Sequence, residues 1–146
     1  MGYRIGGLKI DVSRLNQMGC HRFIVDADGT SQAPGTSVSF YASMSKAHGD
    51  VAKDFLILTT GIVGGGSLYV DEKNKLVVTD SSGDFHAIPK YAAQKFGELL
   101  VPELKKQGIR IDGLIANPYG FLNSFWHHKE PEHSYEKFRN FWRPEN

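Results

Sequence analysis

The sequence is short of several things, and each shortage closes off a class of protein. Among 146 residues there is one cysteine, Cys20, so no disulfide can form within the chain and no cysteine-rich zinc site is available. The longest apolar runs are only a few residues, far below the ~20 needed to span a bilayer. Charge of one sign is also missing: 17 Lys and Arg face 16 Asp and Glu, a net charge of +1, so no overall field favours nucleic acid or an acidic membrane surface. The start, MGYRIGGLKIDV, lacks the basic stretch and apolar core of a secretory signal. No Gly-x-Ser-x-Gly elbow, no His-Glu-x-x-His pair and no P-loop Lys-Ser/Thr occur. The reading is a single cytoplasmic domain over residues 1–146, needing no metal or other cofactor to fold. A chain of this length buries roughly 70% of its unfolded surface.

Glycine is in excess. Sixteen of 146 residues are glycine, about 11% against an average near 7%. The question is which of them punctuate the chain and which serve a site.

Along the chain, Tyr3 to Val12 is β-rich and interrupted by Gly6-Gly7, which predicts one or two short strands or a hairpin. His21 to Ala27 predicts a strand stopped by Asp28-Gly29. Thr30 to Gly35 is a loop by composition, and Thr36 to Tyr41 a further strand. Met44, Ala47, His48, Val51, Ala52 and Phe55 recur at helical steps and predict a helix over residues 43–55. The β-branched run Leu56 to Val63 predicts a buried strand. Ser67–Val70 and Leu76–Thr79 predict a hairpin around Asp71–Lys75.

The strongest periodicity is Ile88, Ala92, Phe96, Leu99, Leu100 and Leu104, the stripe of an amphipathic helix. Pro89 suits its first turn, Pro102 predicts a kink or break, and Gly108 a C-cap. Ile109 to Ala116 is the last predicted strand. The aromatic tail, about 119–146, carries a short helix around 132–142. It is read as an extension packing on the domain or on a partner, including a second copy of the chain. The irregular order of strands and helices predicts an α/β chain of the α+β type: a single mixed or antiparallel sheet flanked by helices.

Candidate chemistry has a plain reading beside each functional one. Gly64-Gly65-Gly66 is either a bulge or tight bend, or bare backbone that another group can approach closely. Thr79 to Asp84 is either an N-cap for the long helix or an anion cradle using Ser81, Ser82 and free amides. His48, His86 and His21 are either packed side chains or proton carriers. His127, His128 and His133 suit a solvated turn, or a metal at a spacing that matches no established pattern. Lys129, Lys137, Arg139 and Arg143 interleave with tail aromatics, a pattern also used to stack RNA, though nothing else in the sequence supports nucleic acid. Cys20 reads as a packing residue.

Taken in order, HRFIVDA, AHGDVAKDF, GGG-SLYV, KLVV, TDSSGDF, HAIPKYAAQKF and a last strand ending IAN resemble the Janus, or protein phosphohistidine phosphatase, family over about residues 20–118. The resemblance implies a small sheet flanked by helices and metal-independent hydrolysis of phosphohistidine or a related phosphoramidate such as phospholysine. It implies a catalytic His48. It also implies phosphoryl binding by Arg22, by Ser81 and Ser82, by the Gly83 amide and by the Gly64, Gly65 and Gly66 backbone. The implied partner is a phosphorylated protein or a small phosphoramidate, with no membrane. The family carries an arginine some eight residues before its histidine, where this chain has Ser39-Phe40-Tyr41. That difference and the extra tail leave a second expectation: a non-catalytic relative that binds a phosphorylated or acidic partner or self-associates through the tail.

Overall fold

The computed structural model describes residues 2–79, 87–117 and 136–143. Six strands form one mixed sheet: β1 (Gly2–Lys9), β2 (His21–Ala27), β3 (Ser37–Met44), β4 (Ile62–Val70), β5 (Lys75–Thr79) and β6 (Gly113–Asn117). Their order across the sheet is β1-β3-β2-β4-β5-β6. The three central pairings, β3–β2, β2–β4 and β4–β5, are antiparallel, and the outer strands β1 and β6 run parallel to β3 and β5. Among the described residues three α-helices accompany it: α1 (His48–Asp54), α2 (Lys90–Lys106) and α3 (Glu136–Phe141). The α+β class with a single mixed sheet is therefore the fold.

Alternation along the strands sends apolar side chains to both faces. Phe23, Val25, Val38, Phe40, Ala42, Leu68 and Val78 face the α2 side and pack on Ile88, Ala92, Phe96, Leu100 and Leu104. Ile24 and Ile62 face the other way and pack on Val51 and Ala52 of α1, with Tyr41, Phe55 and Ile57 beside them. Phe138 and Trp142, from α3 and the residue after it, join the α2-side core at 0% and 2% exposure. Trp142 packs edge-on against Tyr3, ring centroids 4.9 Å apart. The Gly35 amide donates to the Phe141 carbonyl and the Arg143 amide to the Gly35 carbonyl, pinning this segment to the loop before β3.

Strand β2 and the β4–β5 hairpin fall where the sequence places them. In the hairpin turn the Asp71 carboxylate accepts from the amides of Lys73 and Lys75. The cap of α2 is also as predicted. Gly108 has φ +84, its amide donates to Lys105 O, and the Ile109 amide donates to Leu104 O. That pair of bonds is a Schellman motif, which requires a left-handed residue at this position.

Other expectations are corrected. Of the alternatives for the N-terminal segment, the single strand holds, with a bulge between Ile5 and Gly7 and parallel pairing to β3; the hairpin alternative does not. The helix predicted over 43–55 begins only at His48, because Ser43 and Met44 are taken by pairing with Arg22 and His21. Leu56–Val63 is not a buried strand: Leu56 has φ +56, and Leu56 and Leu58 are 91% and 80% exposed. A 3-10 turn over Thr59–Gly61 precedes β4, which starts at Ile62. The helix α2 passes unbroken through Pro102. Pro102 is exposed, so the carbonyl it leaves without a helical donor, that of exposed Glu98, can turn to water. Of the last predicted strand, Ile109 to Ala116, only Gly113–Ala116 pairs, and β6 runs one residue further to Asn117. The tail helix spans Glu136–Phe141; the remainder of the predicted 132–142 helix before Glu136 lies outside the described residues.

Candidate functional site

Gly64, Gly65 and Gly66 lie inside β4, not at a turn, and all three are buried. A strand without side chains leaves hollows on both faces, and neighbours fill them. On the α2 side, a Cβ at Gly66 would come within 2.7 Å of the Phe23 ring and 1.8 Å of the Thr79 carbonyl. On the α1 side, a Cβ at Gly65 would meet His48 Cδ2 at 3.0 Å and the Phe23 carbonyl at 2.8 Å. The triplet is thus the floor on which the His48 ring rests.

His48 is the first residue of α1 and is 4% exposed. Its Nε2 lies 2.8 Å from the Gly66 carbonyl oxygen. A carbonyl only accepts, so Nε2 carries the proton and donates. In the neutral ring this leaves the lone pair on Nδ1, the form a proton acceptor or nucleophile needs.

The strand register assembles a polar row on this same face. Lys9 of β1 pairs with Ser43 of β3, Ser43 with Arg22 of β2, Arg22 with Ser67 of β4, and Ser67 with Thr79 of β5. Directly paired residues share a face. The Ser67 and Thr79 hydroxyls are 2.7 Å apart. Ser43 Oγ donates to Asp54 Oδ2 at 2.8 Å, and Lys9 Nζ donates to the Asp54 carbonyl, so the C-terminal end of α1 is tied to the row. Arg22 Nη1 donates to the carbonyls of Gly19 and Ser45.

Of the residues expected from sequence, His48, Gly64, Gly65, Gly66 and Arg22 come together around β4: His48 through the Gly66 carbonyl, Arg22 through its pairing with Ser67. Ser81, Ser82 and Gly83 follow Thr79 and Asp80 in the sequence but lie outside the described residues, as do His86, His127, His128 and His133. Sequence reasoning does not single out Ser43 or Ser67, and takes Thr79 only as the end of a hairpin strand and the first residue of the loop running to Asp84. Each is a short hydroxyl residue near the end of a strand or within one; the pairing of β2 with both β3 and β4 reveals that Ser43 and Ser67 flank Arg22, and the pairing of β4 with β5 sets Thr79 beside Ser67.

Two further titratable groups sit on the sheet without joining this row. Asp26, at the far end of β2, is pushed above the usual carboxylate range by burial, with Arg4 partly opposing. His21 is pushed below the ordinary histidine range by burial, with Asp11 opposing. Its Nε2 accepts from the Asp11 amide at 3.0 Å, and its buried Nδ1 has no hydrogen-bond partner among the described residues. That arrangement reads as structural, fixing the segment before β2. Among the described residues no group of His, Cys, Asp or Glu is placed to hold a metal ion, and no helix is long and apolar enough to cross a membrane.

The chain matches no protein family, no curated protein and no solved structure.

Proposed function

We propose that the protein is a metal-independent phosphatase acting on phosphohistidine or a related phosphoramidate such as phospholysine, with His48 as its reacting side chain. The observation that carries this reading is the bond from His48 Nε2 to the Gly66 carbonyl over the bare Gly65 backbone. It fixes one tautomer of a histidine that the Janus-family resemblance already singles out. That resemblance supplies the substrate class.

In the chemistry, Nδ1 takes a proton from a water molecule as its oxygen bonds to phosphorus. The P–N bond breaks, and the imidazolium returns the proton to the leaving nitrogen, giving inorganic phosphate and a free imidazole from phosphohistidine or a free amine from phospholysine. In the variant, Nδ1 attacks phosphorus as the substrate P–N bond breaks and the leaving nitrogen takes a proton from water; a second water then hydrolyses the transient phosphohistidine to inorganic phosphate and free His48. Ser81, Ser82 and the Gly83 amide are the donors to the phosphoryl oxygens in this reading, on the segment that leaves the polar row at Thr79. The test is direct. In the presence of a chelator, the protein releases phosphate from phosphohistidine and phospholysine and leaves phosphoserine intact. No release from either phosphoramidate would sink the proposal.

A second reading is favoured by Arg22. Its Nη1 is committed to two main-chain carbonyls, which reduces the positive charge free to hold a dianion. This favours a non-catalytic relative that binds a phosphorylated or acidic partner. It predicts retention of a phosphohistidine peptide without turnover.

A further inference from the structure

We infer that Arg22 is a positioning residue, holding the connection that carries His48, and not a direct ligand of the phosphoryl group. The inference rests on the reading of His48 as the reacting side chain.

The connection from β3 to α1 is short and poorly capped. Ala47 occupies the N-cap position and makes no side-chain cap bond. What holds the connection is Ser45. Its amide donates to the Cys20 carbonyl at 3.0 Å, and its carbonyl accepts from Arg22 Nη1. Both main-chain polar groups of Ser45 are therefore bound to the start of β2, three residues before His48. The same Nη1 donates to the Gly19 carbonyl at 2.9 Å, so both of its N–H groups are used.

The other end of the geometry is fixed on β4, where the Gly66 carbonyl accepts from His48. Arg22 pairs with Ser67, the next residue, and Phe23 pairs with Gly66. One side chain thus ties the tether of His48 to the strand pair that carries its acceptor. At the far end of α1 a second basic side chain does similar work, Lys9 donating to the Asp54 carbonyl. The short helix is held at both ends by cations bound to main-chain oxygen.

Releasing Ser45 lets the tether shift, and a misplacement of ~1 Å at a reacting group costs ~100-fold in rate. A lost phosphoryl ligand would instead weaken binding, seen mainly in KM. The test uses the full chain labelled with ¹⁵N. In Arg22→Gln the His48 Nε2–H proton is expected to exchange with water about tenfold faster or more. On phospholysine the same variant is expected to lose kcat on the order of 100-fold with KM little changed. A His48 Nε2–H as protected in Arg22→Gln as in wild type, or a loss confined to KM, overturns the inference. If Arg22→Gln does not fold, the wild type decides: inorganic phosphate should leave the Arg22 guanidinium resonances unmoved, and a phosphate-dependent shift overturns the positioning role. Absent turnover by the wild type, with exchange still accelerated in Arg22→Gln, removes the phosphatase reading and leaves the positioning role supported.

Discussion

Replacing Gly65 by alanine puts a methyl group where the His48 ring lies. The new carbon would sit 3.0 Å from His48 Cδ2 and 2.8 Å from the Phe23 carbonyl, where ordinary contact begins at 3.4 Å. Neither neighbour can yield cheaply. The Phe23 carbonyl belongs to the β2–β4 ladder, and the ring is anchored to the Gly66 carbonyl. Overpacking of this kind costs about 1–3 kcal/mol, and breaking the histidine bond leaves a buried donor unpaired at about 1–3 kcal/mol more. A loss of about 2–6 kcal/mol is expected, a large share of a total stability of about 5–15 kcal/mol. With a urea slope of about 2 kcal/mol/M, the unfolding midpoint falls by about 1–3 M. Gly49→Ala is the control. A Cβ there meets nothing within 4 Å among the described residues, and the position is helical, so the midpoint should hold or rise slightly. A Gly65→Ala midpoint equal to that of wild type would refute the reasoning that the triglycine strand exists to seat His48.

Three other outcomes are expected. Because burial lowers the folded-state pKa of His21, the unfolded chain binds its proton first as pH falls. Stability from this group is complete above about pH 6.5 and declines below it, toward the lowered folded value. Urea midpoints from about pH 8 to about pH 5 should therefore fall less steeply in His21→Gln, and an equal slope contradicts the assignment. Trp142→Ala should cost about 3–5 kcal/mol, read as a fall of ~10 °C in Tm, and an unchanged Tm would mean the tail does not pack on the sheet. Leu56→Gly should gain up to about 1 kcal/mol in chemical denaturation, since Leu56 holds φ +56 with its side chain in solvent, and a loss contradicts this.

The parts of the fold that can be read from the sequence are those set by local signals. The stripe from Ile88 to Leu104 defines α2, Gly108 its end, and Asp71 to Lys75 the hairpin turn. The misreadings come from tertiary pairing. Ser43 and Met44 stand at helical spacing from Ala47 and His48, but β2 offers them strand partners. Leu56 and Leu58 are apolar yet exposed, because the left-handed Leu56 turns the chain out of α1. The glycine triplet reads locally as a bend. It stays in a strand because Phe23 on one face and His48 on the other occupy the volume its side chains lack. Within the site, the order of motifs marks His48 and Arg22, whereas the flanking hydroxyls of Ser43, Ser67 and Thr79 depend on register, which no single segment encodes. Charge draws attention to Arg22, but its geometry turns on two carbonyls, at Gly19 and Ser45, that sequence cannot show.

The central claim is that His48, held by Gly66, performs phosphoramidate hydrolysis. Phosphate release from phospholysine by wild type and by His48→Ala, under chelator and at equal folded concentration, tests it most directly. The account predicts turnover by the wild type and a fall of about 10³-fold or more in the variant. Release by His48→Ala within a few-fold of wild type would contradict it.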